Sequence, residues 1–112
     1  MKEATDKIKN SLEEKGFILF GDVDHQANAK NVDLTMPASR TLIFGNPLAG
    51  TKLMQQDITM SLELPLRVAI VDDAGQTLLV HKTAEDYANF DVKNHPVINK
   101  IEDLFATLAV EL

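Results

Sequence analysis

The chain has 112 residues, the usual length of one domain, and can bury roughly two thirds of the surface that its unfolded form exposes. Its contents of 45% apolar and 25% charged residues disfavour a disordered chain, a collagen-like repeat and a membrane-spanning protein. The net charge of −6 disfavours nucleic-acid and anionic-membrane partners, and the absence of cysteine excludes disulfides, thiolate metal sites and cysteine nucleophiles. We therefore expect one domain over residues 1–112, with no nucleic acid, no membrane and no cofactor. Charged residues crowd the N-terminus, so we expect no secretion signal and a cytoplasmic location.

The first third of the chain predicts a helix, a strand and a short helix. Apolar residues recur at every fourth position of the first helix, at Ala4, Ile8 and Leu12. Gly16 follows, where a left-handed cap is needed, and the apolar run Phe17–Phe20 predicts a strand. Asp24 is suited to cap the next helix. Asp24 and His25 therefore lie at the corner between the strand and the next helix.

The middle of the chain predicts a second strand and a third helix. Thr41–Phe44 is the strand, and the helix runs towards Asp57. Asn46 is a suitable N-cap for that helix, and Pro47 fits its first position, where the missing backbone N–H costs nothing.

A hairpin and a short helix follow. Leu66–Val71 and Thr77–His81 predict the third and fourth strands. The linking residues Asp73–Gly75 suit a three-residue loop, a type I turn followed by a bulge. Glu85–Phe90 predicts a short helix.

The last segment predicts the longest helix. Asn94 and Pro96 mark its start, and we place it at about residues 95–111. Its apolar stripe consists of Val97, Ile101, Leu104, Phe105, Leu108 and Leu112. Such a helix must lie on an apolar surface.

This order of elements predicts an α+β fold with a four-stranded, mainly antiparallel sheet. Apolar side chains occupy both alternating faces of the strands; Ile18 and Phe20, for example, alternate with Phe17 and Leu19. Two long helices can cover one face well. The second face therefore predicts either further helices or a second subunit.

Five segments together resemble the domain of unknown function 302 family: Ile18 to His25, Leu42 to Pro47, Gly50-Thr51, Leu53-Met54 and Leu64 to Leu66. The resemblance covers about residues 16–87. It implies a TATA-binding-protein-like arrangement, with helices on one face of a curved antiparallel sheet, and a homodimer. It implies no established activity, because the family is defined by sequence. The arrangement suggests DNA, but the strands carry only Arg40, Arg67 and Lys82 at or near them, which disfavours nucleic-acid binding.

The best candidate ligand-binding residues lie at predicted helix starts. His25 begins one helix and Asn46 and Thr51 lie at the start of another, where unpaired backbone N–H groups favour anions. Because both helices follow strand ends, we expect the three side chains to converge at one sheet edge as an anion or small-polar-ligand site. The alternative is structural: Asp24 and Asn46 are ordinary caps and His25 bonds a neighbouring loop.

Arg67 is a fourth candidate, because Arg67 and His81 lie on neighbouring hairpin strands and would line the second sheet face together. The alternative is that both are solvent-facing hairpin residues. Asp22, Asp24 and His25 match no zinc or calcium spacing, so we expect no metal site.

The leading hypothesis is a homodimeric module that binds a small ligand or another protein. The alternative is an enzyme of unassigned class, or a sensor of anions or small polar ligands, using His25, Asn46 and Thr51 at helix N-termini. No nucleophile elbow, Walker loop, dinucleotide fingerprint or His-Glu-x-x-His motif occurs, so the catalytic residues are unassigned and an enzyme is the less favoured hypothesis.

Overall fold

The computed structural model describes residues 1–92 and 94–112. The strands form one antiparallel sheet in the order β1-β2-β3-β4. The predicted α+β fold with a four-stranded antiparallel sheet is therefore confirmed. None of the described helices combines the length and apolarity needed to cross a membrane. The elements are α1 Lys2–Glu14, β1 Ile18–Asp24, α2 His25–Asn31, β2 Ser39–Gly45, α3 Pro47–Gln56, β3 Leu66–Asp73, β4 Gln76–Val80 and α4 Pro96–Val110, with 3₁₀ turns at Ile58–Leu62 and Ala84–Tyr87.

Side-chain caps begin α2, α3 and α4. Asp24 accepts a hydrogen bond from the Ala27 backbone N–H at 3.0 Å, and Asn46 accepts one from Leu48 at 3.0 Å, as predicted. In α4 the cap is His95, whose Nδ1 atom accepts a hydrogen bond from the Val97 backbone N–H at 3.1 Å, and the helix lies within the predicted range of about 95–111. The residue before a proline is held extended, and Pro96 is the first residue of α4.

Two further details differ from the sequence predictions. Asp73 pairs with Gln76, so the hairpin loop is only Ala74-Gly75. Both loop residues have positive φ, 54° and 84°, as a two-residue type I′ turn requires. The predicted helix at 85–90 is a 3₁₀ turn at Ala84–Tyr87.

The two long helices, α1 and α4, pack on one face of the sheet, as predicted. Phe44 lies at the centre of this layer, with its ring centroid 5.4 Å from Phe17 and 6.2 Å from Phe105, edge to face in both cases. Leu112 lies beyond the end of α4 and is exposed, so the apolar stripe ends at Leu108. The fully buried members of the core include Leu42 and Phe44 of β2, Val68 and Ile70 of β3, Ile8 and Leu12 of α1, and Ile98, Phe105 and Leu108 of α4.

The opposite face, here named the outer sheet face, is also apolar. Alternate residues of the four strands form it, and Phe20, the extra residue of a bulge in β1, joins them. Ile18, Phe20 and Val80 on this face are 47%, 55% and 51% exposed. Its apolar members are Ile18, Phe20, Val23, Ile43, Ala69, Val71, Leu78 and Val80.

Candidate functional site

A cavity of about 560 Å³, here named the α3 pocket, lies where β2 leads into α3. Its walls come from residues 45–54, from residues 64–66 at the start of β3, and from one face of α4. Val97, Ile101 and Leu104 form the α4 wall, at the i, i+4, i+7 spacing of a single helix face. The pocket therefore joins segments that are about fifty residues apart in sequence.

Local sequence shapes the mouth and the floor of the α3 pocket. Asn46 and Pro47 turn the chain from β2 into α3 within one residue. Gly45 lets Phe20 lie close to the strand end, because a Cβ on Gly45 would be 3.3 Å from the Phe20 ring. Gly50 leaves the wall open, since a Cβ there would meet only Leu64, at 3.8 Å.

Few polar side chains line the α3 pocket. The Asn46 Oδ1 atom is already used as the helix cap, and Thr51 is exposed at the pocket edge. In the described part of the lining, the charged residues are two exposed lysines, Lys52 and Lys100. Among the described residues, no aspartate, glutamate or histidine lines the pocket, although acidic residues outnumber basic ones by 17 to 11 in the whole chain.

Two of the predicted site residues, Asn46 and Thr51, line the α3 pocket, but His25 does not. Asp24, which precedes His25, pairs with Arg40, whereas Gly45 pairs with Ile18 at the other end of β2. Arg40 and Gly45 are five residues apart along β2, which corresponds to about 17 Å. The predicted convergence of the two helix starts is wrong, because successive antiparallel strands end at opposite edges of a sheet.

His25 lies directly after β1, at the end of β2 remote from the α3 pocket. Its Nε2 atom lies 2.8 Å from Thr41 Oγ1. Nearby, Arg40 donates to both oxygens of Asp22, at 3.0 and 2.6 Å, and Lys9 pairs with the same carboxylate. The hydrogen bond from Arg40 lowers the pKa of Asp22. Within residues 1–92 and 94–112, no three carboxylate or histidine side chains cluster as metal ligands.

We expect Asp22→Asn to lower the free energy of unfolding by about 1 kcal/mol at neutral pH, with allowance for the partial exposure of the pair. Folding lowers the pKa of Asp22, so its contribution is present above the ordinary carboxyl pKa and is lost as the pH falls through the lowered value. Urea denaturation of wild type and variant at a series of pH values should show the difference shrinking towards acid. A difference that stays constant down to about pH 3 would contradict this role for Asp22.

Arg67 and His81 lie on opposite faces of the sheet, so the prediction that they share one face is wrong. Arg67 is exposed on the outer sheet face. The pairing of Ile70 with Leu79 places alternate residues of β4, and with them His81, on the core face. There the His81 ring stacks on Phe105 with centroids 4.1 Å apart.

Phe20, Lys52 and Lys100 line the pocket although sequence reasoning does not find them. The sequence pattern places Phe20 on a strand face, and the bulge that turns it towards Gly45 has no signature in the sequence. The sequence spacing does indicate that Lys100 shares a helix face with Val97 and Leu104. It does not indicate which part of the protein that face contacts.

Comparisons with known proteins agree with this fold. The family model described as Domain of unknown function DUF302 matches residues 1–109. The chain belongs to the DUF302 family. The match extends well beyond the predicted range of 16–87. A DUF302 protein of known structure, the uncharacterized conserved protein from Bacillus stearothermophilus, superposes with a TM-score of 0.84 over 99% of this chain and 89% of that one. At 17% identity this likeness shows the fold alone.

Curated relatives cover part of this DUF302 chain. The fluoride-specific ion channel FluC 1 of Brucella suis biovar 1 is 38% identical over 73 residues, which is 65% of this chain and 29% of the channel. FluC 2 of Brucella melitensis biotype 1 matches with the same identity over 27% of its length. The matched segment thus spans less than a third of the curated relatives.

Proposed function

We propose that this DUF302 protein is a small-ligand-binding module and that the α3 pocket is its site. The observation that carries the proposal is the cavity itself. Its volume of about 560 Å³ lies within the range of roughly 300–1,000 Å³ that is typical of small-molecule sites. Such sites combine apolar walls with a few polar groups, and the α3 pocket has this composition.

Binding fits the α3 pocket better than catalysis does. General acid–base chemistry needs a titratable side chain within hydrogen-bond reach of the reacting atoms. The described lining has no histidine or carboxylate, and Asn46 Oδ1 is engaged in the cap. An enzyme or sensor using His25, Asn46 and Thr51 would need the three side chains in one place, and about 17 Å of strand separates the His25 end of β2 from the Asn46 end.

The Brucella relatives are fluoride-specific ion channels, but the α3 pocket does not suit a fluoride ion. A small hydrated anion loses strong solvation in an apolar cavity unless several donors replace the water. The lining offers apolar contact along most of its surface instead.

The test is 1-decanol binding to wild type, Gly50→Ala and Gly50→Phe, measured by titration calorimetry. Gly50 has ordinary backbone angles, and its Cβ would point at Leu64 across the pocket, so a phenyl ring there occupies the cavity. We expect Gly50→Phe to weaken binding at least about tenfold while Gly50→Ala, the matched control, binds almost as wild type. Equal affinity for all three proteins, or no binding to any, would overturn the proposal.

A second candidate function, assembly into a homodimer, is favoured by the outer sheet face. This face keeps large apolar side chains exposed, and contiguous exposed apolar patches in small proteins mark interaction sites. Phe20 belongs to this face and also lines the α3 pocket. A partner on the outer sheet face would therefore lie next to the ligand.

The charges of this face suit a second copy of the same chain. On its strands, Arg67 stands at one end of β3 and Asp73 at the other, and both are exposed. Ala69 and Val71 lie between them. In a twofold interface centred on these two residues, Arg67 of each copy faces Asp73 of the other, because residue i meets j and j meets i. We propose this homodimer, with sedimentation as its first test.

A further inference from the structure

On the basis of the proposed function, we infer that the ligand of the α3 pocket is a single-chain amphiphile with an anionic head group. Its apolar chain lies against the α4 wall, and its head group lies at the mouth beside Lys52 and Lys100.

The sign of the charge at the pocket is the first observation. In the part of the chain that the structure describes, the charged lining residues are both lysines, although the net charge of the whole chain is −6. A random sample of this surface would contain more acidic than basic residues. In the described part of the chain, neither Lys52 nor Lys100 forms an ion pair with a carboxylate within 4.0 Å. Both ammonium groups are therefore available to an external anion.

The placement of the lysines on their helices is the second observation. Lys100 is three residues after Val97 and four before Leu104, so it lies on the face of α4 that forms the wall. Lys52 is four residues after Leu48, one turn along α3. Both lysines line the pocket and remain exposed, so they stand at its mouth with apolar residues beside them.

The apolar interior of the pocket and the two lysines at its mouth together favour a ligand with an anionic head group. An anionic head gains attraction from two lysines while the chain behind it leaves water. A cationic head of the same size would be repelled by both. An exposed lysine contributes roughly 1.5- to 5-fold in affinity for a single negative charge. Because both lysines attract the anion and repel the cation, we expect the anion to bind at least about fivefold tighter than the cation.

The experiment compares three probes with the same ten-carbon chain: decanoate, 1-decanol and decyltrimethylammonium. Each is titrated calorimetrically into wild type, into Lys52→Gln/Lys100→Gln and into the control Lys2→Gln/Lys7→Gln, which removes the same charge from α1. Low ionic strength is used, because salt screens exposed charges. The order expected for wild type and the control is decanoate tighter than decanol and decanol tighter than the cation.

In Lys52→Gln/Lys100→Gln we expect the preference for decanoate to disappear and the affinity for 1-decanol to stay unchanged. A preference that survives in this variant, or three equal affinities in wild type, would overturn the inference. Failure of the head-group inference does not by itself remove the pocket proposal. That proposal stands if wild type binds 1-decanol and Gly50→Phe binds it more weakly. Absence of binding by all three probes would overturn both.

Discussion

Arg67→Asp is expected to split the proposed dimer, so that the sedimenting mass falls from twice 12.4 kDa to the mass of one chain. In the twofold arrangement, the carboxylate introduced into each copy would then face Asp73 of the other copy, twice per dimer. Like charges that face each other in an interface cost several kcal/mol. A loss of about 3 kcal/mol raises the dissociation constant roughly a hundredfold.

Charge-swapped variants distinguish loss of this interface from loss of folding as the cause of dissociation. Asp73→Arg alone should dissociate the dimer as Arg67→Asp does, and the double variant Arg67→Asp/Asp73→Arg should restore it, because the two pairs re-form with signs exchanged. Lys7→Asp on α1 is the control for charge reversal away from the outer sheet face. A monomeric wild type at micromolar concentration, or a double variant no more associated than the single ones, would contradict the proposed interface.

Phe44→Ala is expected to lower the free energy of unfolding by about 3–5 kcal/mol. Phe44 of β2 is fully buried, and its ring lies edge to face with Phe17 and with Phe105 of α4. Removing it leaves a cavity that the packed neighbours cannot fill. The total free energy of unfolding of native domains is about 5–15 kcal/mol, so the variant would be only marginally folded.

Leu62→Ala is the control in urea denaturation, because it truncates a large apolar side chain that is 77% exposed and belongs to neither the α3 pocket nor the outer sheet face. We expect the control to lose about 1 kcal/mol or less. If both variants lose the same free energy of unfolding, the core does not lie on the face of the sheet that carries Phe44.

The fold can largely be predicted from the sequence because its signals are local. The caps Asp24 and Asn46 and the proline at position 47 set two helix starts, and apolar runs set the strands. The position of the hairpin is also predicted correctly. Its predicted loop is one residue too long, since Asp73 suits both a turn and a strand end, and only its pairing with Gln76 decides.

The candidate site can be predicted only in part. Asn46 and Thr51 line the α3 pocket because the local sequence that starts α3 also places them. Grouping His25 with them requires both strands to end at one edge, which antiparallel neighbours cannot do. The sequence predicts an antiparallel sheet, but which strands are neighbours in it is a tertiary property that the two segments do not encode. Lys100 lines the pocket only because α4, about fifty residues later in the chain, forms one of its walls.

The central claim, that the α3 pocket binds a small apolar ligand, is tested most directly by mapping amide chemical shifts of the ¹⁵N-labelled protein during addition of 1-decanol. We predict saturable shifts concentrated in three segments, residues 45–54, 64–66 and 97–104, which form the pocket walls. Gly50→Phe should remove them. Shifts confined to the outer sheet face, or no saturable shifts at all, would contradict the claim.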